Sequence, residues 1–252
     1  MAELSNKPTP IVSTKPLLRL GVYGEGGAGK TTLALTFPQP LVVDLDGGLE
    51  GGAVDGATGD QWSPEKWQDL NALYAYLKGK VTSAESGKGY KTIIIDSIDT
   101  LCNFIRHEAE NIPSQGRSAN ASENELITAS QQDYGKVSTA IDIFLTKLLV
   151  LARERGLHIV ITGAVREIDP EKGRLKRTFD CQPAVEKLLL QWLNVYGELV
   201  VTETKDKKEH RILWTKASDM QRKNKSRWDA LRPGVTDPTF TKLVGLIETG
   251  TK

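Results

Sequence analysis

The stretch Gly24-Glu25-Gly26-Gly27-Ala28-Gly29-Lys30-Thr31 decides how the chain is read. It spells G-x-x-x-x-G-K-[ST], a loop that wraps a phosphate chain. Glycines let the backbone bend around an anion with its N–H groups turned inward. Before the loop, Leu17-Leu18-Arg19-Leu20-Gly21-Val22-Tyr23 is a short apolar run suited to a buried strand. After it, Lys30 to Phe37 can form a helix, which Pro38 stops. A helix start also favours negative charge. Lys30 is expected to reach the β- and γ-phosphates, and the Thr31 hydroxyl to hold Mg²⁺. The nucleotide-lining set is Gly24, Glu25, Gly26, Gly27, Ala28, Gly29, Lys30, Thr31 and Thr32. A glycine-rich turn can match by accident, but strand and helix on either side argue against that.

The bulk composition suits one large α/β domain with appendages. The chain has 252 residues and a formal net charge of +1, so any nucleic-acid site has to be a local patch. Cys102 and Cys181 form no metal-ligand pattern and suggest a reducing compartment. The three histidines, His107, His158 and His210, lie far apart. The most apolar stretch, 141–152, is broken by Asp142 and Lys147 and is too short to span a bilayer. Residues 1–16 carry Pro8, Pro10 and Pro16, lack the apolar segment of a secretory signal, and read as a flexible arm. A cytoplasmic protein without a membrane partner is expected.

Outward from the loop, strands and helices alternate. Leu41-Val42-Val43-Asp44-Leu45-Asp46 and Thr92-Ile93-Ile94-Ile95-Asp96 are apolar runs ending in acids, and 157–163 is a further apolar strand. Between them, 47–60 reads as a loop, and Ser63-Pro64-Glu65 as a helix start leading to Leu70, Leu73, Tyr74 and Leu77. Ser97 suits the cap of a helix with Leu101, Phe104 and Ile105 on one face. The 113–124 segment is rich in Ser, Asn and Gly and reads as a mobile loop. Tyr134 to Arg155 is a long amphipathic helix burying Val137, Ile141, Phe144, Leu145 and Leu148, with Gly156 as its stop. Residues 164–183 read as a polar loop, 185–193 as a short helix, and 239–249 as a last helix. Residues 198–204 and 211–215 suit an antiparallel pair joined by a charged turn.

This order predicts an α/β fold: a mostly parallel twisted sheet flanked by helices, with a C-terminal antiparallel hairpin. The expected organisation is an arm at 1–16, a core at 17–232 and a tail with a short helix at 233–252. The nucleotide then lies at the carboxyl ends of the strands.

Acids at those ends carry the chemistry. Asp96 closes a buried strand, where a carboxylate beside a phosphate loop orients Mg²⁺ or its water; capping the next helix is its other reading. Asp44 and Asp46, two apart, share a face, and either can polarise the attacking water. Thr162 suits a γ-phosphate sensor or an ordinary strand residue. Arg222-Lys223-Asn224-Lys225-Ser226-Arg227 is a cationic run, read as a solvated turn, a finger toward a neighbouring subunit's γ-phosphate, or a DNA-phosphate contact. Arg166, Lys172, Arg174, Lys176 and Arg177 form a candidate DNA-binding loop that nearby acids almost neutralise.

In this order, residues 24–31, 42–46, 93–96, 159–166 and 222–227 resemble the ATPase core of RecA-type recombinases. The resemblance covers roughly 17–228. It is nearest the short, core-only phage ATPases of that group, implicated in single-strand annealing and recombination. It implies Asp46 as the catalytic carboxylate, where RecA itself usually has glutamate. Lys223 and Lys225 correspond to lysines acting across the subunit interface, and the loop from Gly163 to the DNA-binding loop. Gly163 itself stands where RecA carries a glutamine that senses phosphate. The extra terminal domains of full recombinases are also missing from the match.

Other classes fit less well. A partition-type ATPase needs a second lysine where Glu25 stands. A GTPase is suggested by Asp44-Leu45-Asp46-Gly47, but Thr215-Lys216-Ala217-Ser218 places Ser where guanine recognition requires an acid. An ATP-gated binding or loader module with little hydrolysis is the remaining alternative. The expectation is thus a cytoplasmic ATPase using ATP and Mg²⁺ on single-stranded DNA. A homo-oligomer is implied, with a single-strand-binding protein as a candidate partner.

Overall fold

Runs as apolar as 92–96 have no side to show to water, and a parallel sheet covered on both faces accommodates them. The computed structural model describes residues 16–49, 58–80, 89–111, 134–168, 176–203, 207–216 and 223–250. In chain order it contains β1 (Arg19–Gly24), α1 (Lys30–Leu35), β2 (Pro40–Asp44), β3 (Asp60–Trp62), α2 (Trp67–Lys80), β4 (Thr92–Asp96) and α3 (Ile98–Asn111). There follow α4 (Tyr134–Arg155), β5 (His158–Ile168), β6 (Lys176–Phe179), α5 (Pro183–Trp192), β7 (Val195–Glu203), β8 (Glu209–Trp214) and β9 (Lys225–Ser226). A 3₁₀ turn at Asp229–Leu231, β10 (Val235–Thr236) and α6 (Phe240–Gly250) complete the chain.

The strand order is β10-β8-β7-β1-β5-β4-β2-β3. From β7 to β3 every neighbouring pair is parallel. β7 leaves this parallel block to form an antiparallel hairpin with β8, and β10 adds antiparallel to β8. The fold is therefore α/β, a mostly parallel sheet flanked by helices with an antiparallel C-terminal hairpin.

The strand period of two sorts side chains between two cores. Leu41 and Val43, Ile93 and Ile95, and Ile159 and Ile161 pack with residues of α2, α3, α4 and α5. Val42, Ile94 and Val160 face the other way, toward Leu33 and Ala34 of α1 and Leu243 and Ile247 of α6. Continuing the same alternation puts Asp44, Asp96 and Thr162 on the α1 face, at the carboxyl ends of three adjacent strands. Gly163 falls on the opposite face, against Phe179 and Ile98. One rule of spacing thus gathers the polar side chains on the side where the phosphate loop joins α1.

The structure revises several local expectations. Residue Asp60, expected in a loop, opens β3, which pairs in parallel with β2. The helix expected at Ser63 starts at Trp67: the Asp69 carboxylate accepts from the Glu65 and Lys66 amides at 2.9 and 3.0 Å, while the Ser63 hydroxyl accepts from Gln61. Within the expected polar loop at 164–183, the end of β5 and β6 pair as a hairpin, registered from Val165↔Phe179 to Ile168↔Lys176. Charged residues at its outer positions hid the strand signal. The segment expected as a tail is tied in. Phe240 packs on Phe37 at 4.9 Å between ring centroids, and its amide donates to the Thr36 hydroxyl. α4 spans the expected residues, with Ile141, Phe144, Leu145 and Leu148 buried and Gly156 at φ +66° behind it. Expectations for 1–15 and 113–124, and for the side chain of Val137, fall outside the described residues. Among the described residues, no helix is long and apolar enough to cross a membrane.

Candidate nucleotide site

The loop between β1 and α1 turns at Gly27 (φ +75°) and Gly29 (φ +88°), conformations that disfavour any side chain. Gly24 is fixed by space instead: a Cβ there would lie 2.4 Å from the Leu199 carbonyl oxygen of β7. The Lys30 ammonium donates to the carbonyls of Gly24 at 3.0 Å and Glu25 at 2.9 Å, spanning the loop's mouth. Burial lowers its pKa, and the carboxylates of Asp96, Asp99, Glu25 and Asp46 oppose that shift.

Thr31, in the first turn of α1, donates from Oγ1 to Asp96 Oδ2 at 2.6 Å. The other carboxylate oxygen, Oδ1, accepts from the Thr162 hydroxyl. Asp96 is 8 % exposed and Thr162 fully buried, so the carboxylate is fixed from behind with its front on Thr31. Thr162 holds Asp96 from the neighbouring strand β5. A hydroxyl and a carboxylate so paired form a hard-oxygen donor set. Mg²⁺ ordinarily takes one or two such protein oxygens and completes its shell with phosphate and water, so these residues fit it.

The two candidate bases separate clearly. Asp44 is 2 % exposed, and its carboxylate accepts from the Gly48 and Leu49 amides and from Gln61 Nε2 at 2.8 Å. It folds the turn after β2. Asp46 is exposed and accepts from the Gly48 amide at 3.3 Å. Partial burial and the charge of Asp96 raise its pKa, with Asp44 adding to the effect. A carboxylate with a raised pKa and an open face is the better proton acceptor of the two.

The other candidate residues lie further off. Glu25 is exposed and pairs with Arg177 at 2.7 Å; Arg177 also pairs with the fully buried Glu198 at 2.8 Å and approaches Glu167 at 3.7 Å. Arg166 approaches Glu186 at 3.9 Å. Lys172 and Arg174 lie outside the described residues, as does the side chain of Lys176. Gly26 and Thr32 are exposed and Ala28 is buried. Lys223 pairs with Glu186 at 2.9 Å. Lys225 donates to the carbonyls of Leu190 at 2.7 Å and Leu193 at 3.1 Å, where it caps the end of α5. Between them Asn224 accepts from the Tyr23 hydroxyl at 2.6 Å. The structure thus brings Lys30, Thr31, Asp96 and Asp46 together, and holds Lys223 and Lys225 against α5.

Two contributors escaped the sequence reading. Asp99 accepts from the Ala164 amide at 3.0 Å and adds its charge around Lys30. Its place three residues past Asp96, in the first turn of α3, was the available signal. Gln61 had no such signal, because the pairing of β3 with β2 alone brings it to Asp44. A family model described as an AAA domain matches residues 17–228 of the chain. No curated protein matches it.

Proposed function

The chain belongs to the AAA-domain family of P-loop ATPases, and from that premise we propose that it binds and hydrolyses ATP with Mg²⁺ while acting on single-stranded DNA, in annealing or recombination. The observation that carries the hydrolytic reading is the 2.6 Å hydrogen bond from Thr31 to Asp96 beside the glycine-lined loop. Mg²⁺, when bound, neutralises charge on the β- and γ-phosphates and polarises the bond to be cleaved. The chain's own groups do the rest. Lys30 supplies a cation to the phosphates, Thr162 keeps Asp96 aimed, and Asp46 accepts a proton from, or orients, the attacking water.

The DNA reading rests on the resemblance to RecA-type cores and on the β5–β6 hairpin, which leaves the same strand ends with Arg166 and Arg177 along it. We assign it a homo-oligomeric state on the same ground, with a single-strand-binding protein as a further partner. A role for Lys223 or Lys225 at a neighbour's nucleotide requires each to leave its present acceptor on assembly. Phosphate release, followed with and without Mg²⁺ and with and without single-stranded DNA, tests the proposal. Mg²⁺-dependent release that rises with DNA is expected. Absence of release in every condition, with ATP still bound, would favour a non-hydrolysing ATP-gated module, the reading that Gly163 in place of a glutamine supports.

The division of labour between the two acids is testable in the same assay. Asp46→Asn is expected to cut turnover about 100-fold, the usual scale for losing a positioned base, at an unchanged melting temperature. Asp44→Asn is expected to act on stability, at a cost of about 1–3 kcal/mol for disturbing a buried hydrogen-bonded acceptor. Because Asp46 works as the carboxylate and its pKa is raised, activity is lost as pH falls through that raised value. The acid limb should therefore lie above the ordinary aspartate value of about 3.9. Loss of turnover in Asp44→Asn alone, with normal melting, would reverse the assignment.

A further inference from the structure

On the side of the phosphate loop away from Asp96 lies a cation that the catalytic reading leaves unused. A Cβ placed on Gly29 would sit 2.6 Å from Arg211 Nε, 3.0 Å from its Cδ and 3.6 Å from its Cζ. The Arg211 side chain therefore lies along the peptide that leads into Lys30. Its backbone is clamped by Asp237, in the turn that follows β10. The Arg211 amide donates to Asp237 Oδ1 at 2.9 Å, and the Asp237 amide donates back to the Arg211 carbonyl at 2.5 Å. The other carboxylate oxygen, Asp237 Oδ2, is 2.7 Å from His210 Nδ1. Asp237 adopts φ +44°, so a left-handed turn sets this edge beside β8. Among the described residues, Arg166, Arg177, Lys223 and Arg232 each reach a carboxylate, whereas the Arg211 guanidinium enters no ion pair.

Sheet order says which part of a nucleotide this cation faces. Asp96 is on β4, two strands from β1 on one side; Arg211 is on β8, two strands from β1 on the other. The Thr31–Asp96 pair marks the metal and γ-phosphate end, toward β4. A nucleotide laid through the loop then directs its nucleoside end toward β7 and β8. We propose that Arg211 is a nucleotide-binding residue supplied from β8, its guanidinium contacting the α-phosphate and lying on the face of the base. A guanidinium suits both tasks, because its planar donors bind phosphate oxygens and its flat face stacks on aromatic rings.

This inference rests on the nucleotide reading above, and calorimetry separates the two. Wild type, Arg211→Ala and Arg211→Lys are titrated with ATP, ADP and inorganic tripolyphosphate in magnesium buffer. Arg211→Ala is expected to weaken ATP and ADP alike by about tenfold, the scale of one charge-assisted contact. Its affinity for tripolyphosphate, which keeps the equivalent of the α-phosphate but has no base to stack on, should fall by a smaller factor than its affinity for ATP. Arg211→Lys should recover only part of the loss, since lysine keeps the charge without the flat face. Unchanged ADP affinity in Arg211→Ala would overturn the inference. So would weakening confined to ATP, which would place the guanidinium at the γ-phosphate, or an equal loss for tripolyphosphate, which would remove the contact with the base. Failure of the wild-type protein to take up any nucleotide would instead remove the nucleotide reading itself.

Discussion

Lys30→Ala is expected to release phosphate from ATP at least about 100-fold more slowly than the parent protein, the usual cost of removing one preorganised charge-stabilising donor. The ammonium reaches back across the loop to the carbonyls of Gly24 and Glu25, and the charges of four carboxylates act on it. Alanine removes the cation and leaves the negative charges of Asp96, Asp99, Glu25 and Asp46 without it as an incoming polyphosphate arrives. Binding and turnover should therefore fall together. Lys30 opens α1, where alanine is a good helix former, so the fold should tolerate the change. Phosphate release, calorimetric uptake of ATP and the melting temperature are the three measurements. Wild-type turnover in a variant of unchanged melting temperature would dismiss the loop as the catalytic centre.

The parts that sequence exposes well are those where local chemistry and burial agree. The strands at 41–46, 92–96 and 157–163 had to be internal because their central positions, 41–43, 93–95 and 159–161, are all apolar. The acids and threonine that end them then share a face by the period of two, which accounts for the meeting of Asp44, Asp96 and Thr162. The phosphate loop was legible because its glycines answer a local requirement for positive φ and close approach. What stayed hidden depends on pairing between distant segments. Asp60 to Trp62 carries no strand pattern of its own and is recruited by β2. Lys176 to Phe179 is mostly polar and is a strand because β5 continues past Gly163 and offers it an edge. Arg211 looks like an ordinary exposed position of a hairpin. Only the order of β8, β7 and β1 brings it beside Gly29. The same dependence separates the basic run at 223–227 from its sequence reading. Charge alone suggests a solvated turn or a finger, while the fold supplies acceptors: Glu186 for Lys223 and the end of α5 for Lys225.

Packing around Gly163 leaves no room for a side chain. Gly163→Gln, which introduces the residue that the resemblance to RecA-type cores would place there, is expected to destabilise the protein by about 3 kcal/mol, the upper part of the usual range for overpacking a core. The residue pairs with Tyr23 across β1 and β5 and faces the core between the sheet and α3. A Cβ at this point would lie 2.5 and 2.8 Å from Phe179 Cδ1 and Cε1, and 2.9 Å from Ile98 Cγ2. The Phe179 ring has little room to swing away. It is fully buried, packs on Tyr23 at 5.2 Å and Tyr196 at 5.1 Å between centroids, and closes on Gly21 from its other edge. A glutamine side chain would also start on the face opposite Thr162 and Asp96, so it would meet aromatic rings before any phosphate. The strand has already placed a hydroxyl, Thr162, on the side where Asp96 needs one. Gly163→Ala tests the packing alone and should cost about 1–3 kcal/mol, roughly 3–10 °C in melting temperature for a chain of this size. Gly163→Gln should melt lower still, with no gain in the response of turnover to DNA. A glutamine variant that melts with the parent protein would mean that Phe179 yields, and the glycine would then need a reason other than space.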